Sequence, residues 1–241
     1  MKIALIGYGK MGRIIERIAL ERGHEIVSIV DVDNQEEFLS DAFASADVAI
    51  EFTLPTKSIE NYRKAWAAGL PVVSGTTGCS DCLPQLKQEI VDKGVTLFWA
   101  SNFSLGVNLF FELNKRLAKM MNSYNVYDVR MTEIHHTEKK DAPSGTAITL
   151  AEGIIDNLER KDCWVLSDSN SLNPAQLSIE AIREGMVPGT HIIEYDSPVD
   201  SISIEHKAKS REGFAHGAVI AAEFLVGKPT GFYSMNDLMN F

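Results

Sequence analysis

Between Glu133 and Ala147 the chain reads EIHHTEKKDAPSGTA, which sets two adjacent histidines, His135 and His136, and two adjacent lysines, Lys139 and Lys140, ahead of Pro-Ser-Gly-Thr. This cluster of potential cations runs against a formal net charge of -10. Pro143 suits the first turn of a helix, Ser144 and Thr146 can cap free amides, and Gly145 permits close approach. The backbone N–H groups of Ser144, Gly145 and Thr146 would then form a cradle for a carboxylate. Any helix start offers such a cradle, and a basic loop alone can be merely solvated. Side by side, the two describe a site for a small acid. Histidine is the natural proton donor near neutral pH, and a neighbouring lysine can hold a carboxylate or deliver a proton.

A second constellation lies at the amino end. Gly7-Tyr8-Gly9-Lys10-Met11-Gly12 is a G-x-G-x-x-G between an apolar run and a helical pattern, with Asp31 nineteen residues past its last glycine. Glycines there allow a tight turn, backbone approach to a pyrophosphate and close packing of helix on sheet; the helix N-terminus supplies amides for the anion, and the aspartate accepts from ribose hydroxyls. A glycine turn can serve packing alone, but this setting favours a bound dinucleotide. Val32 and Asp33 follow Asp31, so no arginine awaits a 2′-phosphate and NADH is favoured; Lys10 could offer a charge, which keeps NADPH open. Two further stretches, Gly75-Thr76-Thr77 and Ala100-Ser101-Asn102-Phe103, fall at the carboxyl ends of strand-like runs, where open α/β sheets bind ligands, although ordinary polar turns look the same. A reduced nicotinamide gives a hydride, so its partner must be an electrophile whose enamine-like product takes a proton from a positioned acid. The residues point to reduction of a small, acidic, unsaturated molecule.

Positioning these groups requires alternating elements. KIALIG reads as a strand, and Met11, Ile14, Ile15, Ile18 and Ala19 form a helical stripe closing at Gly23. Strand-like runs follow at 26–30, 47–53, 71–74 and 95–100, with a helix between Ile59 and Gly69, which predicts a parallel sheet joined by right-handed crossovers. After Phe103 the pattern changes to a long helix, a strand near 128–134, a second helix through Arg160, then alternating runs at 177–181 and 202–204, as for an open sheet with one wet face. Residues 214–227 are helical and rich in small side chains.

Composition narrows the remaining choices. At 241 residues and 45% hydrophobic content the chain can bury one large core or two modest ones. An acidic balance without a basic stripe argues against nucleic acid. No run approaches a membrane span, and the first residues read as a buried strand rather than a signal peptide. Three cysteines cannot all pair, and Cys79 and Cys82 lack the further ligands of a zinc site, so they read as incidental loop thiols and the cytoplasm as the simplest location; no metal is expected.

The block E-I-H-H-x-x-K-x-D-A-P-S-G-T-A, the glycine turn, GTTG, A-S-N-F-S, IEHKAKSREGFAHGA at 204–218 and the ending GFYSMNDL together resemble the 4-hydroxy-tetrahydrodipicolinate reductase (dihydrodipicolinate reductase) family over essentially the full length. The resemblance implies a Rossmann-type doubly wound parallel sheet, from residues 1–103 plus 214–241, and an α+β substrate and oligomerisation domain at 104–213. It implies His135 as proton donor and acceptor, Lys139 as proton donor, His136 touching the substrate, and Gly145 and Thr146 on a carboxylate of a cyclic diacid. It implies that Gly7 to Gly12, Asp31, Gly75 to Thr77 and Ala100 to Phe103 line the cofactor, and that the protein is a homotetramer of lysine and diaminopimelate biosynthesis. Arg183, His191, His206, Lys207 and Arg211 also match the family pattern, and supporting rather than chemical work is expected of most of them. The glycine turn is one residue shorter than the common family form, Lys10 stands at a usual arginine, Val32 replaces an arginine found in NADP-accepting members, and Leu54 stands where another arginine is frequent. All of these weaken recognition of a 2′-phosphate. Reduction of a different acidic imine and a non-catalytic dinucleotide sensor are the alternative readings of the residues.

Overall fold

The computed structural model describes residues 1–78, 82–167 and 173–241. In chain order the elements are β1 (Lys2–Ile6), α1 (Lys10–Glu21), β2 (Glu25–Val30), a 3-10 turn (Gln35–Leu39), α2 (Asp41–Ala44), β3 (Val48–Glu51), α3 (Pro55–Ala67), β4 (Val72–Ser74), α4 (Leu83–Lys93), β5 (Thr96–Trp99) and α5 (Leu105–Met121). They continue with β6 (Asp128–His135), α6 (Gly145–Ile155), β7 (Cys163–Leu166), β8 (Gln176–Arg183), β9 (Thr190–Asp196), β10 (Ser201–Lys207), α7 (Glu212–Leu225), β11 (Gly231–Tyr233) and α8 (Met235–Met239). Two compact units result: Met1–Leu105 with Glu212–Phe241, and Gly106–Arg211.

The first unit is built on a six-stranded sheet of order β11-β5-β4-β3-β1-β2 in which every pairing is parallel. Its strands are apolar on both faces because both are covered. Ile3 and Leu5 of β1 pack with α1 and α7, whereas Ala4 and Ile6 pack with α3 and α4. Full burial of an isoleucine or leucine in such a position stabilises by about 1.5–3 kcal/mol. Small residues let α7 lie close: a Cβ on Gly217 would stand 1.8 Å from the Phe103 carbonyl oxygen. The last strand, β11, pairs with β5 and so returns the chain to this sheet. Because β1 pairs with β2 on one side and β3 on the other, the strand order reverses there, and a crevice opens beyond the carboxyl ends of β1 and β3.

The second unit carries a mixed sheet of order β10-β9-β6-β8-β7. Val129 and Met131 of β6, Leu177 and Ile179 of β8, and Ile193 and Tyr195 of β9 form one core with Phe110, Ala118 and Met121 of α5 and Leu150, Ala151 and Ile154 of α6. The opposite face is polar; Arg130 of β6 pairs there with Glu194 of β9.

Several expectations change. Helix α6 ends at Ile155, not at Arg160, because the chain turns after Asp156 and the Arg160 guanidinium leaves the helix to donate to the carbonyls of Met121 (3.1 Å) and Tyr127 (2.9 Å). Pro143 precedes the N-cap residue Ser144 instead of occupying the first turn. The expectation for Cys79 lies outside the described residues. Cys82 is disulfide-bonded and is therefore not an incidental thiol; it is the N-cap residue of α4. Among the described residues no helix is long and apolar enough to cross a membrane.

Candidate active site

The turn after β1 is shaped by contacts that only glycine allows. Gly7 has φ +93°, and a Cβ there would lie 2.3 Å from the Phe52 carbonyl oxygen. A Cβ on Gly12 would lie 2.2 Å from the Gly7 carbonyl oxygen, so the first turn of α1 sits directly on the loop. Gly12→Ala is accordingly expected to destabilise the protein by about 1–3 kcal/mol through overpacking and to weaken nucleotide binding. Thermal unfolding and an NADH titration check both effects.

Two adjoining cavities open at this turn. The larger, 620 Å³, is lined by Gly7, Tyr8, Gly9, Asp31, Val32 and Thr53 with Lys57, Glu60, Asn61 and Lys64 of α3. The smaller, 310 Å³, is lined by Gly9, Lys10, Met11, Phe52, Thr53, Pro55, Gly75, Thr76 and Thr77. Asp31 sits at the end of β2, where its carboxylate accepts from the Val32 amide at 2.9 Å. Gly12 lines neither cavity, nor do Ala100, Ser101, Asn102 and Phe103. Ala100 and Phe103 are buried in the core, because their strand end tucks beneath α7, and Asn102 accepts from the Ser104 amide at 2.9 Å. The lysines of α3 were not foreseen: Lys64 pairs with Glu60 at 2.8 Å and Lys57 approaches the same carboxylate at 3.5 Å.

In the second unit, strand periodicity places the polar cluster. Residues 129, 131, 133 and 135 share the helix-covered face of β6, so the row that buries Val129 and Met131 continues into Glu133 and His135. The neighbouring strands do the same: Ile193 of β9 is followed on its face by His191, and Ile179 of β8 by Ala181 and Arg183. Register pairs Glu133 with His191 and His135 with Arg183, and four polar groups converge beneath the start of α6.

Glu133 is the centre of that cluster. It is wholly buried, with Arg183 Nη2 3.0 Å from Oε1, His135 Nδ1 3.3 Å from Oε2, and the Ser144 amide donating to both oxygens at 3.1 and 3.2 Å. Burial alone would push its carboxyl up; His135, the Ser144 amide and Arg183 outweigh this and hold it at about 2. His191 is driven down to about 4 by burial and by the charge of His135, so its ring is neutral at pH 7; its Nε2 lies 3.3 Å from Ser144 Oγ. The His135 and His191 rings meet edge to face at 5.2 Å. Gly189, with φ +155°, keeps the other side of His135 open, since a Cβ there would stand 3.1 Å from Nε2.

Glu133, His135 and His191 bring ligand atoms within 4.8 Å of one another, a set that could hold a metal ion, but Arg183 and the Ser144 amide already answer the carboxylate's charge. Ser144 caps α6 through Oγ, which accepts from the Ala147 amide at 3.2 Å. With the Ser144 amide directed to Glu133, Gly145 and Thr146 open the first helical turn, where backbone amides lack an intrahelical partner. Lys139 is held by Asp141, whose two oxygens lie 2.9 Å from Nζ, and the Asp141 carbonyl accepts from Arg183 at 2.5 Å. His136 is half-buried and Lys140 exposed in the same loop. Glu133, Asp141 and Gly189 are the residues that sequence reasoning missed.

A parallel sheet with a glycine turn feeding a helix and an acid closing the second strand defines a dinucleotide-binding oxidoreductase fold. Family models for the dihydrodipicolinate reductase N-terminus and C-terminus match residues 1–103 and 106–239. The 4-hydroxy-tetrahydrodipicolinate reductase of Christiangramia forsetii is 45% identical over 100% of this chain and 98% of its own, and that of Staphylococcus aureus 36% over 99% and 100%. A dipicolinate-bound dihydrodipicolinate reductase from Paenisporosarcina sp. superposes with a TM-score of 0.75 over 98% of each chain at 19% identity, a likeness of fold. The chain belongs to the dihydrodipicolinate reductase family.

Proposed function

We propose that the protein reduces 4-hydroxy-tetrahydrodipicolinate to tetrahydrodipicolinate, a step of lysine and diaminopimelate biosynthesis. The observation that carries the assignment is the run of β6 from a hydrophobic row into Glu133 and His135 directly under the amides that open α6, within a chain of this family. Reduced nucleotide binds in the first unit, its pyrophosphate at the N-terminus of α1 and its adenosine ribose at Asp31; when bound it supplies the hydride. In the second unit the Gly145 and Thr146 amides and His136 orient the diacid. His135, its Nδ1 beside the Glu133 carboxylate, and Lys139 are the proton donors to the reduced product.

NADH is used at least as well as NADPH. Asp31 and Glu60 balance Lys57 and Lys64 in the larger cavity, leaving no net positive charge for a 2′-phosphate. The same reading makes the protein a cytoplasmic homotetramer; the exposed edge strand β10, where Ile202 is 39% exposed, supports the oligomer. Following nucleotide oxidation by absorbance with freshly generated substrate tests the reading. Equal or faster turnover with NADH is expected; a strong NADPH preference would show that Lys57, Lys64 or Lys10 prevails, and binding of nucleotide without oxidation would point to a sensor.

A further inference from the structure

Glu51 ends β3 behind the walls of both nucleotide cavities, is wholly buried, and lines neither. Three hydroxyls point at it: Ser74 Oγ and Thr76 Oγ1 donate to Oε2 at 2.6 and 2.8 Å, and Thr53 Oγ1 donates to Oε1. A hydroxyl has one proton, so the remaining bonds of each must be accepted. Thr76 Oγ1 accepts from the Thr53 amide at 2.9 Å, Thr53 Oγ1 from Asn61 at 3.2 Å, and Ser74 Oγ from the Thr76 amide at 3.2 Å. Tyr62, 2.7 Å from Ser74 Oγ, must then be the donor of that bond; burial and the Glu51 charge push its phenol up to about 12 and keep the proton on it.

Resting on the nucleotide reading above, we propose that Glu51 is a positioning residue for the cofactor: by drawing in the hydroxyl protons of Thr53 and Thr76, it leaves these two side chains with oxygen lone pairs and methyl groups but no hydroxyl donor. At these two positions the wall accepts from ribose hydroxyls or a carboxamide instead of donating to phosphate oxygens. It also ties the loop after β3 to the loop after β4, since the Thr53 amide is held by Thr76. Burial raises the Glu51 carboxyl above its ordinary value, and the hydroxyls of Ser74, Thr53 and Thr76 pull against that rise without overcoming it.

Glu51→Gln tests this. The amide fills the same space, but its NH2 group must donate where an oxygen accepted, so at least one hydroxyl turns outward. The expected result is a Kd for NADH raised about tenfold, the equivalent of one hydrogen bond, read by fluorescence titration at a temperature where circular dichroism shows the variant folded. Its thermal midpoint should be equal to or above that of the wild type, because a neutral group replaces a buried charge; a purely structural role would lower the midpoint and leave the NADH affinity of the folded variant unchanged. Unchanged NADH affinity in the folded variant overturns the role of Glu51. Wild-type protein that fails to bind NADH overturns the nucleotide reading itself.

Discussion

His135→Ala and Lys139→Ala each lower kcat by about 10²–10⁴, the usual contribution of a positioned general acid, while the affinity for NADH stays as it is. The residues stand at the end of β6 and in the loop beyond it, in the second unit, whereas both nucleotide cavities belong wholly to the first. His135 works beside the Glu133 carboxylate and Lys139 from a bidentate contact with Asp141. Steady-state kinetics, with NADH binding measured separately, gives both numbers. A variant that keeps wild-type kcat removes its residue from the proton transfer.

The second large effect belongs to Glu133. Glu133→Ala is expected to destabilise the protein by about 3–5 kcal/mol, because the Arg183 guanidinium and the Ser144 amide are left in a buried place without their acceptor. The same geometry sets the wild type's response to acid. Glu133 is shifted down from 4.5 to about 2 and His191 down from 6.5 to about 4. In both cases the unfolded chain takes up a proton that the fold refuses. Stability therefore falls as pH drops from about 6.5 to 4 through His191, and falls again from about 4.5 to 2 through Glu133. Urea unfolding at a series of pH values should show this decline in the wild type and a shallower lower portion in Glu133→Ala. A wild-type stability that is flat between pH 7 and 3 contradicts the assignment of these two groups.

Much of the first unit is legible because its signals are local. The apolar run of β1, the glycines after it and the stripe of α1 are contiguous, and each contact that forbids a Cβ at Gly7 and Gly12 is made within a short span of the sheet's switch point. The strands β7, β9 and β11 and the helices α4 and α8 were not anticipated. β11 has three residues and α8 five, too few to establish a period, and β7 is partly exposed throughout, so it shows no alternation. In β9 the polar His191 and Thr190 are buried and disguise the pattern. For the site, His135, Lys139 and the helix start declare themselves as one cluster. Arg183, His191 and Gly189 reach it only through the pairing of β6 with β8 and β9, which no stretch of sequence displays. Glu133 was within reach: counting by twos from Val129 and Met131 lands on it and then on His135.

In β6 the hydrophobic anchor and the reactive group occupy one lineage of alternate positions. With Val129 in place, deleting Arg130 or Met131 would turn Glu133 and His135 to the wet surface and drive Thr132 and Ile134 under the helices. Point replacement along this strand can therefore be graded and reversible, whereas an insertion or deletion forfeits folding and chemistry in the same event.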